Sequence, residues 1–237
     1  MDKNSDSHRR KIETAQSGTA RAALLGISDG LVTNVSLILG VAAAGAQQDL
    51  VRVAGIASLI AGACSMAVGE YISMRGQVEL LQSVLGIERE QLHNNPKGAH
   101  EALEKVMMAD GVTKNTAHTA ALEIGHDPEK AMAVYARGEL GINPSELGAA
   151  WGSAGSSFVT FSIGAFVPLV PWFVLSGTTG VLVSLGLSVI AALGIGSYLG
   201  YMTSGRLLWP ALRQLLVLII AASATFLIGH LFHTSIT

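Results

Sequence analysis

The chain has 237 residues, of which 50% are hydrophobic and only 14% charged, with 27 glycines, a poor match to a soluble enzyme, where about a quarter of residues are charged. Its formal net charge of −2 gives no reason to expect a nucleic-acid partner, and its single cysteine, Cys64, excludes an intrachain disulfide and a thiolate metal cage. A mean hydropathy of +0.47, with apolar runs of about 20 residues, makes the lipid bilayer the expected solvent.

In chain order, residues 1–21 are polar and lack the apolar stretch of a cleavable signal peptide, so they read as a solvated basic tail. Apolar segments follow at about 22–45, 53–74, 154–176, 180–203 and 210–233. They are too long and too weakly alternating for barrel strands, which leaves helices. The expected fold is all-α and integral to the membrane: five transmembrane helices, two in 22–75 and three in 151–237.

Between helices two and three, residues 76–150 change composition. The pieces QVELLQSVLGIEREQL, AHEALEKVMMADG, TKNTAHTAALEIG and DPEKAMAVYARGELG have helical spacing of apolar residues, and Asp127-Pro128 suits an N-cap followed by proline at the first helical position. This insert reads as a folded module of three to four short helices, continuing the second membrane helix or separate from it.

Lys3, Arg9, Arg10, Lys11 and Arg21 lie in the tail, more cations lie in the insert, and Arg206 and Arg213 lie between helices four and five. The opposite side offers only Arg52. The bias of cations toward the cytoplasmic side then places the N-terminus and the insert in the cytoplasm. Small residues four apart, at Gly26 and Gly30, Ser65 and Gly69, and Gly196 and Gly200, predict close helix packing, within the bundle or between two protomers.

Two acidic side chains fall inside the predicted spans, Asp29 and Glu70. A carboxylate in hydrocarbon costs several kcal/mol unless it faces a cavity, a partner or a cation. Counted from the cytoplasmic ends of their helices, Asp29 and Met66 both lie about 10–12 Å deep. Glu70, four residues after Met66, falls one turn nearer the cytoplasm on the same face. Carboxylate and thioether donors together suit a borderline ion such as Fe²⁺ or Mn²⁺ better than Ca²⁺ or Mg²⁺. Pro168 and Pro171, in FSIGAFVPLVPWFVL, predict a kink or freed backbone carbonyls, a break that opens a cavity or serves as a hinge with no ligand. No HExxH, GxSxG or glycine-rich phosphate loop occurs, so catalysis is not expected.

DGLVTNVSLILGV, then AGACSMAVGEYIS, then a helical insert and FSIGAFVPL, resembles the vacuolar iron transporter family from about residue 20 to the end. The resemblance implies a homodimer moving Fe²⁺, and often Mn²⁺, out of the cytoplasm into a vacuole or out of a bacterial cell, in exchange for protons. The metal would be cargo, with no resident cofactor. It implies a translocation path through Asp29 and Met66, with Glu70 matching the Glu of the family's GEY motif. In the insert it implies a metal set of glutamates and two methionines. Glu88 and Glu139 match that set, but Gln91 stands where a glutamate is usual, Ala99 and Ala102 stand near two others, and Tyr135 and Ala136 replace the methionines. Glu90, His100, Glu101, Glu104, Met107 and Met108 lie close by as substitutes. The competing expectation is a non-transporting metal sensor or scaffold acting through the insert, and export of another small solute is a third. The short tail fits a bacterial inner membrane, with a vacuolar membrane the eukaryotic equivalent.

Overall fold

The computed structural model describes residues 18–139, 150–203 and 205–236, except for the side chains of residues 91–93, 96 and 233–236. The described residues are almost wholly helical: α1 (Gly18–Ala43), α2 (Gln48–Asn94), α3 (Pro96–Ala109), α4 (Lys114–Gly125), α5 (Pro128–Gly138), α6 (Ala150–Leu169) with a 3₁₀ turn at Val170–Phe173, α7 (Gly177–Thr203) and α8 (Leu208–Ile236). Five segments are long and apolar enough to cross a membrane: Gly18–Ala43, Gln48–Glu90, Ala150–Phe173, Gly177–Thr203 and Leu208–Phe232. Ile190, Leu216, Ile220 and Leu227 stand exposed on α7 and α8, as apolar side chains facing lipid do.

Contacts divide the chain into two compact units, Met1–Tyr71 with Ala150–Thr237, and Ile72–Ala149. In the larger unit α1 packs along α6, α7 and α8. Its seam with α6 depends on missing side chains. A Cβ on Gly30 would strike the backbone of Phe161 and Ala165, and one on Gly164 would strike the Ile27 carbonyl. Gly26 lies against Ser157 and Gly30 against Phe161, so α1 and α6 run parallel. Gly62 of α2 meets the Phe161 ring and Gly55 meets Leu169, so α2 runs antiparallel to both.

Of the other small pairs, Gly196 and Gly200 abut Pro210, Ala211 and Arg206 at the start of α8 and the turn before it, whereas a Cβ at Gly69 would meet nothing within 4 Å among the described residues. On the remaining faces of α1, Leu31, Val35 and Leu39 close a core with Ala192, Leu218 and Ala222, and Ile38 joins Val51, Leu169 and Trp172.

Both prolines of the third span are buried, Pro168 inside α6 and Pro171 in the 3₁₀ turn. Side chains from neighbouring helices take the carbonyls along this stretch. Asn34 Nδ2 donates to Ala165 O at 2.6 Å and Ser184 Oγ to Pro168 O at 2.7 Å. Gln48 Nε2 donates to Trp172 O and Leu175 O, and Arg52 donates to Trp172 O and Phe173 O. The break is therefore tied to α1, α2 and α7. Arg52 also puts a cation at the carbonyl end of α6, where the helix dipole favours one. Arg52→Ala is expected to cost about 1.5–3 kcal/mol, the range for hydrogen bonds to a charged group, read as a lower unfolding temperature in detergent.

In the smaller unit α3, α4 and α5 pack on one another around Leu103, Val106, Ala117, Ala121, Met132 and Ala136. Asn95 caps α3 by accepting from Gly98 N at 3.0 Å, ahead of Pro96. Asp127 caps α5, accepting from the backbone of Glu129 and Lys130, and its hydrogen bonds with Lys130 hold its carboxyl below the usual range.

Candidate functional site

Arg21, Leu25, Asp29 and Thr33 recur every fourth residue along α1 and are all exposed. The Thr33 hydroxyl donates to the Asp29 carboxylate at 3.0 Å, and among the described residues no cation pairs with it. A carboxylate thus stands on an open face of α1, within an apolar span and with a hydroxyl as its partner.

Phe161 fixes the level of α2 against it. Gly30, next to Asp29, touches the Phe161 backbone, and Gly62 touches the Phe161 ring. Met66 lies one turn along α2 from Gly62 and packs, half-buried, on the cluster of Ala63, Phe161 and Ala165. Asp29 and Met66 therefore stand within about one turn of each other in level, roughly 5 Å, with Met66 on the Glu70 side.

Glu70 differs from Asp29 in its surroundings. Its side chain is only 10% exposed, and it accepts from Arg21 Nη2 at 3.1 Å. Beside it, Tyr71 stacks on Trp151 with ring centroids 4.6 Å apart. Tyr and Trp gather at membrane–water boundaries, which is where this pair is expected to lie. The Arg21–Glu70 pair escaped sequence reasoning, which counted Arg21 only among the tail cations. Its one signal is Arg21 standing eight residues before Asp29 on the same stripe.

In the insert, Glu88 and Glu139 both lie near enough to the Tyr135 hydroxyl to act on it. Burial first, then the two carboxylates, hold the tyrosine's proton more tightly than usual. The structure thus gathers Glu88 and Glu139 around Tyr135. Gln91 is on the same helix as Glu88, but its side chain lies outside the described residues.

Five helices long and apolar enough to cross a bilayer define a multi-pass α-helical membrane protein. The sequence model of the VIT family matches residues 20–230. Among curated relatives, the "Vacuolar iron transporter" of Acanthamoeba castellanii is 32% identical over 203 residues, 82% of this chain and 72% of the relative. "Vacuolar iron transporter 1" of Oryza sativa subsp. japonica is 27% identical over 207 residues, 87% of this chain and 82% of the relative. "Vacuolar iron transporter homolog 2" of the same plant is 31% identical over 220 residues, 90% of each. This chain belongs to the VIT family.

Proposed function

We propose that this protein carries Fe²⁺, with Mn²⁺ as a second cargo, out of the cytoplasm in exchange for protons, and that it works as a homodimer. Family membership makes it a metal-ion transporter, and the names of its relatives support iron as the cargo.

The observation that carries the reading is Asp29, exposed on α1 within an apolar span and partnered by a hydroxyl instead of a cation. Such a charge is tolerable in a membrane when a water-lined path, a second subunit or a bound ion covers it. The open face of α2 at Ser65 and Gly69 supports the second subunit, because small residues let helices from two copies approach closely.

Metal enters at Glu70, at the headgroup level, and passes to Asp29 and Met66. A carboxylate oxygen binds either H⁺ or M²⁺, so a proton arriving from the far side displaces the metal and resets the site. The excess of Lys and Arg on one side supports a cytoplasmic N-terminus and insert, hence export from the cytoplasm across a bacterial inner membrane or into a vacuole.

At the entry, Arg21 competes with metal for Glu70. A half-exposed ion pair is worth about 0.2–1 kcal/mol, so Arg21→Ala is expected to lower the Fe²⁺ concentration for half-maximal transport by up to about fivefold. Glu70→Gln is expected to raise it by about tenfold, the loss of one charged ligand. Initial rates of Fe²⁺ uptake into proteoliposomes with a pH gradient measure both. Unchanged half-saturation in the two variants removes Glu70 from the path.

A further inference from the structure

The insert carries a cluster that transport through Asp29 does not use. His100 and Glu104 stand four residues apart on one face of α3. After α3 the chain turns at Gly111, whose φ of +89° suits glycine, and α4 packs back against α3 with His118 facing the pair. His118 Nδ1 lies 3.2 Å from His100 Nε2 and 3.1 Å from Glu104 Oε2, and the three ligand atoms all lie within 4.8 Å of one another. The two rings meet edge to face with centroids 4.8 Å apart. The Glu104 side chain is 16% exposed.

With both rings neutral, neither tautomer gives each contact a proton of its own: a protonated His118 Nδ1 is shared between His100 Nε2 and the Glu104 carboxylate, and a bare Nδ1 that accepts from His100 faces that carboxylate with no proton between them. A divalent cation among the three atoms accepts a lone pair from each. Metal–ligand bonds of about 2.0–2.2 Å set neighbouring ligands about 3.0–3.5 Å apart, and two of the three pairs already have that spacing.

We propose that His100, Glu104 and His118 form a binding site for a borderline divalent transition-metal ion, of which Zn²⁺, Co²⁺ and Fe²⁺ are members. Two imidazoles and one carboxylate leave coordination positions open to water and prefer these ions to Mg²⁺ or Ca²⁺. The general order of divalent affinities places Zn²⁺ above Mn²⁺ here. His100 also borders a cavity of about 520 Å³, lined further by Glu90 and by the Arg89–Glu129 ion pair. The site shares no residue with Glu88, Gln91 and Glu139, and it stands whether or not the protein transports iron.

The test uses the full-length protein in detergent, stripped of metal and dialysed against Zn²⁺. One equivalent per chain is expected to resist competition by millimolar Mg²⁺. His100→Ala and His118→Ala are each expected to weaken it at least tenfold, with unchanged far-ultraviolet circular dichroism, while Glu88→Gln leaves it in place. X-ray absorption of wild-type protein loaded with one equivalent of Zn²⁺ needs no variant and is expected to show two imidazoles and no sulfur ligand. A shell of carboxylates and water alone, a shell containing a thioether, or full affinity in both histidine variants overturns the assignment.

Discussion

Asp29→Ala is expected to reduce Fe²⁺ uptake to the level of empty liposomes, at least about a hundredfold below wild type, while the protein stays folded. A hundredfold corresponds to about 2.7 kcal/mol, within the range for removing a charged ligand from a low-dielectric path. The fold should survive because Asp29 is exposed in the protomer and its hydrogen bond is to the neighbouring turn, at Thr33. Removing an unpaired carboxylate from hydrocarbon leaves stability unchanged or slightly raised. Asp29→Asn separates shape from charge. It keeps an oxygen donor of the same size but cannot exchange a proton, so its residual flux is expected not to respond to a pH gradient. Flux near wild type in Asp29→Ala, with unfolding temperature unchanged, would remove Asp29 from the mechanism.

Gly30→Leu is expected to have the largest effect on stability. The first side-chain carbon already collides with the Phe161 carbonyl and the Ala165 backbone, and neither can swing aside as a flexible side chain would. The α1–α6 seam must open, which undoes the contacts around Phe161 and the Asn34 bond to Ala165 O. Overpacking at a close backbone contact costs about 3 kcal/mol or more, enough to displace the unfolding transition by many degrees. Gly164→Leu, from the other side of the same seam, is expected to match it. Gly186→Ala is the control, because its Cβ would meet nothing within 4 Å among the described residues, and it should change stability by no more than about 0.5 kcal/mol. Thermal unfolding in detergent, followed by monodispersity, reads all three. An unfolding temperature for Gly30→Leu close to that of Gly186→Ala would contradict the packing described above.

The spans were legible because an apolar run of membrane length fits little besides a helix that crosses the bilayer, and the Asp127-Pro128 cap because it depends on adjacent residues alone. The extent of α2 was harder to read. Its composition turns polar near Gln77, but a helix need not end where its solvent changes, and no strong stop occurs before Asn95-Pro96. Asp29 and Glu70 stood out as acids in apolar runs. What surrounds them did not, since the pairing of Arg21 with Glu70 and the capping of α6 by Arg52 depend on the register of helices far apart in sequence. The same holds for His118, which reaches His100 and Glu104 only because α4 folds back on α3. Pro168 and Pro171 signalled a break correctly, yet the partners of the nearby carbonyls came from three other helices.

Metal movement driven by proton exchange can be followed in wild-type proteoliposomes carrying an outward-directed proton gradient, with internal Fe²⁺ and internal pH recorded together. Fe²⁺ uptake is expected to need the gradient, to be matched by proton efflux, and to stop when an ionophore collapses the gradient. Binding of Fe²⁺ by the same protein with neither uptake nor proton movement would contradict it and make the protein a metal sensor.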